Sequence, residues 1–287
     1  METAYREDRS GASPQPLLSE KQFRRLREFI EGQCGIHLAE EKQSLLEGRI
    51  RRRLRVVGLD RFEDYSRYLF SPEGMAEELE HLIDAVTTNK TDFFREPWHF
   101  EYLVNTVLPA AVREGRRNVR VWSAGCSTGD EPYTLAIYLN EFAEQHSGFS
   151  YSILATDICH EVLAKAAEGV YDESKIEPMP YALRKKYILR SKGPGRKLVM
   201  MGPELKRRIQ FRRLNFMDDD FGIDRPLDVI FCRNVIIYFT KATQECLLQK
   251  FCRLLSPEGY LFLGHSETIT NMNVPLAFAA ATVYKKV

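Results

Sequence analysis

The chain has 287 residues, of which 44% are apolar and 28% charged, and its 41 Lys and Arg residues nearly balance 40 Asp and Glu residues. This length allows one large domain or two ordinary domains with a substantial core. The near-zero net charge gives no overall indication of nucleic-acid binding, and the lack of about 18 uninterrupted apolar residues argues against a transmembrane helix.

Residues 1–18 are rich in Ser, Pro and charged side chains, and they predict a disordered leader. This segment lacks the apolar core of a signal peptide. The cysteines are scattered without a C-x-x-C pair, at positions 34, 126, 159, 232, 246 and 252. That spacing argues against a zinc site and a secreted disulfide framework. We therefore expect a cytoplasmic protein with reduced thiols and no bound metal.

Residues 19–88 are predicted to form an all-α domain. Within EKQSLLEGRIRRRLRVVG, apolar residues recur at helical spacing and form one stripe, made of Leu46, Ile50, Leu54 and Val57. Gly58 follows as a helix stop. The segments DRFEDYSRYLF and GMAEELEHLIDAVTT predict two more amphipathic helices.

Residues 89–287 are predicted to form an α/β domain, because after Pro109 apolar runs alternate with helical stretches. The runs are unbroken and rich in β-formers, as in a parallel sheet buried between helices. They are VRVWSAG, SYSILATDI, LDVIFCRNVIIYF and YLFLGHSE. Short runs and Gly-Pro turns at about 187–215 predict a small antiparallel insertion. The final FAAATVYKKV is predicted as a strand that pairs antiparallel.

The segment VWSAGCSTGDEPYTLAI (121–137) joins a strand to a helix through a glycine turn. It matches the G-x-S-x-G pattern of serine hydrolases, and Asp228 and His265 follow Ser127 in the required order. However, the strands that should precede such a turn are missing, as is an oxyanion segment. A phosphate loop is disfavoured because Asp130 and Glu131 stand where a lysine is needed. The dinucleotide spacing G-x-G-x-x-G is also absent.

The remaining interpretation is a turn that brings backbone close to an uncharged or cationic ligand. Asp157 ends the next strand, SILATD, where a carboxylate can accept hydrogen bonds from ribose hydroxyls. A ribose-bearing ligand with a positive centre is S-adenosylmethionine. The alternative for Asp157 is a solvated helix cap. Ser127 is then expected to take no part in the chemistry.

The chain resembles the CheR family, the chemotaxis-receptor glutamate O-methyltransferases, over about residues 19–287. The matching segments are TTNKTDFFREPWHF (87–100), VWSAGCSTGDEPYTLAI (121–137), ATDI (155–158), LNF (214–216), IFCRNVIIYF (230–239) and LFLGHSE (261–267). The resemblance implies an α/β fold, with a Rossmann-like class I methyltransferase domain that carries a small antiparallel β-subdomain and follows an all-α domain.

The resemblance also implies the site residues. S-adenosylmethionine would be contacted by Asn89, Thr91, Arg95, Glu131, Asp157, Asn215, Phe216, Arg233 and Asn234. From the chemistry of the transfer, Arg95 is expected to orient the acceptor carboxylate or the cofactor. Tyr238 ends IFCRNVIIYF, where the carboxyl edge of the sheet meets the ligand crevice, and is expected to hold the carboxylate or steady the methyl group. The alternative for Tyr238 is a packing tyrosine at a strand end.

A glutamate acceptor suits a site without a general base, because its carboxylate is already ionised at neutral pH. His99 and His265 are expected to serve packing or local hydrogen bonds. Two other functions fit the same residues. A methyltransferase of the same fold with another acceptor, such as nucleic acid, or a non-catalytic module that binds S-adenosylmethionine or a nucleotide would share most of these residues.

The segment RIRRRLR (49–55) predicts a docking surface for an acidic partner, since guanidinium groups suit carboxylates. Its cations are Arg49, Arg51, Arg52, Arg53 and Arg55. A solvated helix face and a nucleic-acid surface are the alternatives; the resemblance favours the glutamate-bearing helices of a chemoreceptor. Whether the β-subdomain also docks a receptor C-terminal peptide is left open. We expect a monomer.

Overall fold

The computed structural model describes residues 17–191, 193 and 197–287. The predicted leader lies outside these residues, apart from Leu17 and Leu18. The Leu18 side chain is buried in the helical core, its N–H donates to Glu47 Oε2 at 3.2 Å, and its carbonyl accepts from Gln43 Nε2 at 2.7 Å. The packed structure therefore begins ahead of Ser19.

The amino-terminal region is helical, with α1 (Glu20–Cys34), α2 (Gln43–Val57), α3 (Phe62–Leu69), α4 (Pro72–Glu77) and α5 (Leu79–Val86). A capping box between Ser19 and Gln22 begins α1. Gly35 and Gly58 end α1 and α2 in the left-handed conformation, as a helix-stop glycine does. The predicted stripe is confirmed at Leu46, Ile50 and Leu54, which are buried.

A buried ion pair lies inside this helical region. Arg53 of α2 donates to both carboxylate oxygens of Glu78, with Nε–Oε1 at 2.8 Å and Nη2–Oε2 at 2.6 Å. Tyr65 Oη donates to the same carboxylate at 2.7 Å. The side chains are 15% and 2% exposed for Arg53 and Glu78. Arg53 was predicted as part of the docking surface, but it serves to satisfy the buried carboxylate of Glu78, which lies between α4 and α5.

The strands, in chain order, are β1 (Asn118–Ala124), β2 (Ser150–Asp157), β3 (Val170–Asp172), β4 (Ile188–Arg190), β5 (Leu198–Met201), β6 (Ile209–Arg213), β7 (Leu227–Cys232), β8 (Leu255–Leu263), β9 (Leu276–Ala280) and β10 (Val283–Lys286). The helices of this part are α6 (Trp98–Tyr102), α7 (Leu108–Arg113), α8 (Asp130–Gln145), α9 (His160–Glu168), α10 (Tyr181–Tyr187), α11 (Pro203–Lys206) and α12 (Lys241–Leu254). The predicted α/β fold class is confirmed.

Among the described residues, the main sheet has seven strands in the order β6-β2-β1-β7-β8-β10-β9. The first five strands in this order, β6, β2, β1, β7 and β8, are parallel to one another. Strand β10 pairs antiparallel with both β8 and β9. Successive residues of β1 enter different cores, with Val121 packed in the core that contains α8 and Trp122 in the core that contains α12. Helices therefore cover both faces of the sheet.

Two strand predictions need correction. The segment FAAATVYKKV is a hairpin rather than a single strand, because Thr282 turns the chain in the left-handed region (φ 52°) between β9 and β10. The small antiparallel sheet has the order β3-β5-β4 and starts at Val170, ahead of the predicted 187. Residues Ile209–Arg213, predicted to belong to it, pair with β2 instead, where Ile209 and Phe211 pack against the main core.

The Arg53–Glu78 pair predicts a stability effect. Arg53→Met leaves a buried carboxylate without its cation, so the free energy of unfolding should fall by about 3 kcal/mol. Arg52→Met changes an exposed neighbour on the same helix and should alter the free energy of unfolding by less than about 0.5 kcal/mol. Denaturant unfolding of both variants gives the comparison, and equal midpoints for the two would contradict this role of Arg53.

Candidate functional site

A cleft opens beyond the carboxyl ends of β1, β2 and β7, the position where open α/β sheets hold ligands. Its volume is about 860 Å³, counting the solvent at its mouth. The structure brings every predicted cofactor-contacting residue to its wall, namely Asn89, Thr91, Arg95, Glu131, Asp157, Asn215, Phe216, Arg233 and Asn234, together with Tyr238. Residues far apart in sequence therefore surround one space.

The glycine turn lets backbone form one wall of this cleft. Gly125 has a φ of 85°, and a Cβ there would lie 2.5 Å from Val235 Cγ2. Gly129 has a φ of 92°, and its Cβ would lie 2.9 Å from Ala166 Cβ. Each position thus requires glycine for both its conformation and its space. The turn is fixed to β2 because Gly125 and Cys126 donate N–H bonds to the Thr156 carbonyl at 2.8 and 2.9 Å.

Ser127 has a structural role that the sequence did not predict. Its N–H donates to Asp157 Oδ2 at 2.8 Å, and its hydroxyl donates to the Asn89 carbonyl at 2.8 Å. It thereby joins the turn, β2 and the segment between the two domains. The hydrolase alternative fails on geometry, since Asp228 starts β7 at the opposite end of the sheet and bonds to the Arg120 N–H at 2.8 Å.

Asp157 is buried at the tip of β2 and accepts from two backbone donors. Oδ2 receives the Ser127 N–H, and Oδ1 receives the Cys159 N–H at 3.0 Å, just ahead of α9. Burial raises the pKa of Asp157, and these backbone bonds oppose the shift. Asp157 therefore does accept a hydrogen bond at the start of α9, as in the alternative interpretation of this residue. Asp157 lines the cleft, and its carboxylate can accept a further hydrogen bond from a ligand hydroxyl.

Glu131 and Arg233 form a buried ion pair in the floor of the cleft. Arg233 Nε donates to Glu131 Oε2 at 2.7 Å, and Ser123 Oγ donates to Oε1 at 2.7 Å. Arg233 Nη1 also donates to the Arg95 carbonyl at 2.9 Å and lies 3.5 Å from Glu96 Oε2. One guanidinium therefore holds β7, the start of α8 and the segment that joins the two domains.

His99 is buried beside this pair and is unsuited to act as a base. Its Nδ1 lies 3.0 Å from Arg233 Nη1 and 3.3 Å from Glu96 Oε2, and its Nε2 lies 3.0 Å from Thr282 Oγ1. Burial lowers the pKa of His99, so the ring is neutral at pH 7. His265 is exposed and stacks against Trp98. Among the described residues, no histidine lines the cleft.

The sequence did not predict two carboxylates that contact cleft-lining residues. Glu267 is buried and accepts N–H bonds from Gly264 at 2.6 Å and from Asn234 and Val235 at 2.8 Å each; burial raises its pKa and these bonds oppose the rise. Burial favours neutral Glu96, but contacts with His99 and Arg233 outweigh it and lower its pKa to about 2. Glu267 and Glu96 lie in the family-like segments LFLGHSE and DFFRE, so the resemblance could have pointed to them.

The helical region supplies another wall of the cleft. Cys34 and Ile36 line it, and the His37 N–H donates to the Tyr238 carbonyl at 2.7 Å. Asn215 Nδ2 donates to the Gln33 carbonyl at 2.6 Å, and Lys42 Nζ lies 5.8 Å from the centre of the Tyr238 ring. The two parts of the chain therefore complete one site. Arg95, with its side chain 35% exposed, belongs to the same cleft as Tyr238.

The predicted arginine surface on α2 is divided by the structure. Arg49 donates to the carbonyls of Val86 and Thr87, which end α5, and Arg51 bonds to Glu47 Oε1 at 2.7 Å. Arg52 and Arg55 are exposed, in contrast to the buried Arg53 pair. The outward face of α2 therefore presents Arg52 and Arg55, between the exposed apolar side chains Leu45 and Val56.

Neither a metal centre nor a membrane span is found in the part of the chain that the structure describes. Its His, Cys, Asp and Glu side chains form no group of three or more that could hold a metal ion. None of its helices is both long enough and apolar enough to cross a bilayer. The cysteines of this part are unpaired thiols.

Comparison with known proteins gives consistent matches over both parts of the chain. A family model described as "CheR methyltransferase, SAM binding domain" matches residues 89–285, and one described as "CheR methyltransferase, all-alpha domain" matches residues 21–87. The chemotaxis protein methyltransferase of Borreliella burgdorferi is 38% identical over 274 residues, which cover 94% of this chain and 95% of the relative. That of Salmonella typhimurium is 39% identical over 267 residues, covering 93% and 90%.

A weaker likeness is found to a solved methyltransferase structure. A magnesium protoporphyrin IX methyltransferase from Synechocystis PCC 6803 with bound SAM matches with a TM-score of 0.33 at 13% identity, covering 77% of this chain and 91% of its own. This likeness is too low to add to the family matches.

Proposed function

The chain belongs to the CheR methyltransferase family, and on that basis we propose that it transfers the methyl group of S-adenosylmethionine to glutamate carboxylates of chemotaxis receptors. The product on the receptor is a glutamate methyl ester. The observation that carries the proposal is the single cleft whose wall holds every predicted cofactor-contacting residue and Tyr238, together with Cys34 and Ile36 of the helical region. The enzyme acts in the cytoplasm as a monomer.

The groups that line the cleft suit S-adenosylmethionine. Backbone at Gly125 and the carboxylate of Asp157 fit a ribose-bearing ligand, and the acidic Asp130 and Glu131 replace the lysine that a phosphate would need. When bound, the cofactor supplies an electrophilic methyl group on a sulfonium. The residues proposed to hold it are those predicted from the resemblance: Asn89, Thr91, Arg95, Glu131, Asp157, Asn215, Phe216, Arg233 and Asn234.

A glutamate acceptor fits the groups around the cleft. The acceptor carboxylate is ionised at neutral pH, so its oxygen attacks without losing a proton. The histidine-free wall of the described cleft is consistent with this chemistry. Positioning by Arg95 and Tyr238 then supplies most of the rate acceleration, since alignment alone can lower the activation barrier by about 7–11 kcal/mol. Water exclusion further favours a transition state in which both charges diminish.

The outward face of α2 is the proposed docking surface for the acidic receptor helix. Arg52 and Arg55 supply the cations, and the exposed Leu45 and Val56 supply apolar contact. A receptor C-terminal peptide is a second candidate ligand, bound as an added strand at the small sheet. The edges of that sheet are β3 and β4.

Label transfer tests the proposed function. The chain is incubated with methyl-labelled S-adenosylmethionine and receptor cytoplasmic fragments, with fragments whose methylated glutamates are replaced by alanine as controls. We expect base-labile label on the unmodified fragments alone, because esters hydrolyse in base. Base-stable label on lysine or on added nucleic acid would refute the assignment.

Tyr238→Phe tests the acceptor-positioning role. It removes the hydroxyl of a cleft-lining side chain, so kcat should fall about tenfold while the Kd of S-adenosylhomocysteine changes little. Tyr181→Phe, at an exposed tyrosine of α10, is the matched control and should leave both values unchanged. Steady-state kinetics and calorimetry separate the two effects. Parallel loss of both kcat and affinity would show that Tyr238 serves mainly to shape the cofactor pocket.

Charge reversal tests the docking surface. Arg52→Glu with Arg55→Glu should raise the receptor-fragment KM at least about tenfold at low salt, and the difference should shrink at high salt because exposed charges are screened. Arg61→Glu with Arg67→Glu makes the same charge change at exposed arginines outside α2. If both pairs raised the KM equally, the effect would belong to overall charge rather than to α2.

A further inference from the structure

Lys175 connects the small sheet to the cleft. It lies in the helical turn Glu173–Ile176, directly after β3. Its Nζ donates to the Thr91 carbonyl at 2.7 Å and to Asp130 Oδ1 at 3.0 Å, and lies 3.8 Å from Asp92 Oδ1. One ammonium thus bridges the start of α8 and the interdomain segment 87–95, which we call the linker.

Both partners of Lys175 adjoin cleft-lining groups. Thr91 itself lines the cleft, and Asp130 immediately precedes Glu131, whose carboxylate is held by Arg233. The Asp130 side chain is fully buried, and burial raises its pKa, while Thr128 Oγ1 at 2.7 Å and Lys175 oppose the rise. Lys175 therefore serves as the cation of a buried carboxylate and as a donor to the linker.

The strand before Lys175 contacts the same two parts of the cleft. Tyr171 Oη donates to the Thr128 carbonyl in the glycine turn at 2.6 Å. The Tyr171 ring meets the Phe93 ring of the linker edge-on, with centroids 5.0 Å apart. The small sheet is thus fastened to the turn and to the linker through Tyr171 and Lys175.

We propose that Lys175 is a positioning residue, which fixes the linker beside the S-adenosylmethionine cleft and so raises cofactor affinity from the small sheet. This inference rests on the proposed function. Lys175 does not line the cleft itself, and it acts through the Thr91 carbonyl.

Calorimetry with S-adenosylhomocysteine tests the proposal without relying on turnover. Lys175→Met should raise the Kd about tenfold by releasing the linker, whereas Lys175→Arg should restore most of the affinity. Lys186→Met is the matched control. Lys186 lies next to the small sheet and forms ion pairs with Glu141 and Glu144 of α8, away from the cleft. Its Kd should stay within about twofold of the unmodified chain.

A double variant separates the linker contact from the unpaired acid. Lys175→Met alone leaves the buried Asp130 carboxylate without its cation and should therefore lower stability. Adding Asp130→Asn removes that carboxylate, so stability should recover while the Thr91 contact is still missing. We expect its Kd to stay raised and hydrogen exchange at residues 88–95 to be faster than in the unmodified chain. A Kd that returned to the unmodified value would overturn the proposal, as would an unchanged Kd in Lys175→Met. If the unmodified chain bound no S-adenosylhomocysteine, the proposed function would fail and this inference with it.

Discussion

The buried ion pair between Glu131 and Arg233 is the constraint on which the cleft depends. Arg233 follows β7, Glu131 lies in the first turn of α8 after β1, and the Arg95 carbonyl that Arg233 binds belongs to the linker. Breaking such a pair leaves a buried charge, at a cost of about 3–5 kcal/mol. With Arg233 in place, the carboxyl end of the sheet and the linker are fixed relative to each other before any ligand arrives.

Strained backbone surrounds the same space. Phe94 and Glu96 on either side of Arg95, together with Ser127 and Asn234, have φ between 48° and 60° although none is glycine. Such residues persist only where their surroundings hold them. Here the Ser127 N–H is held by Asp157 and the Asn234 N–H by Glu267. The carboxylates thus maintain the shape of the cleft as well as its charge.

Much of this arrangement could be predicted from local sequence. The glycine turn, the acids after it and Asp157 at a strand end are neighbours of recognisable elements, and the fold class followed from strand–helix alternation. The fate of the α2 arginines could not be predicted, because the partners of Arg53 and Arg49 lie 25 and 37 residues away. The same holds for Lys175, whose partners come from two other segments, and for Ile209–Arg213, whose pairing with β2 depends on the completed core.

A structure of the complex with S-adenosylhomocysteine tests the central claim most directly. The account predicts the ligand in the cleft between the linker and the glycine turn, with its ribose hydroxyls bonded to Asp157 and its sulfur facing Arg95 and Tyr238. It also predicts that the Glu131–Arg233 pair is intact in the complex. A ligand seated elsewhere, or a pair broken to admit it, would contradict the account.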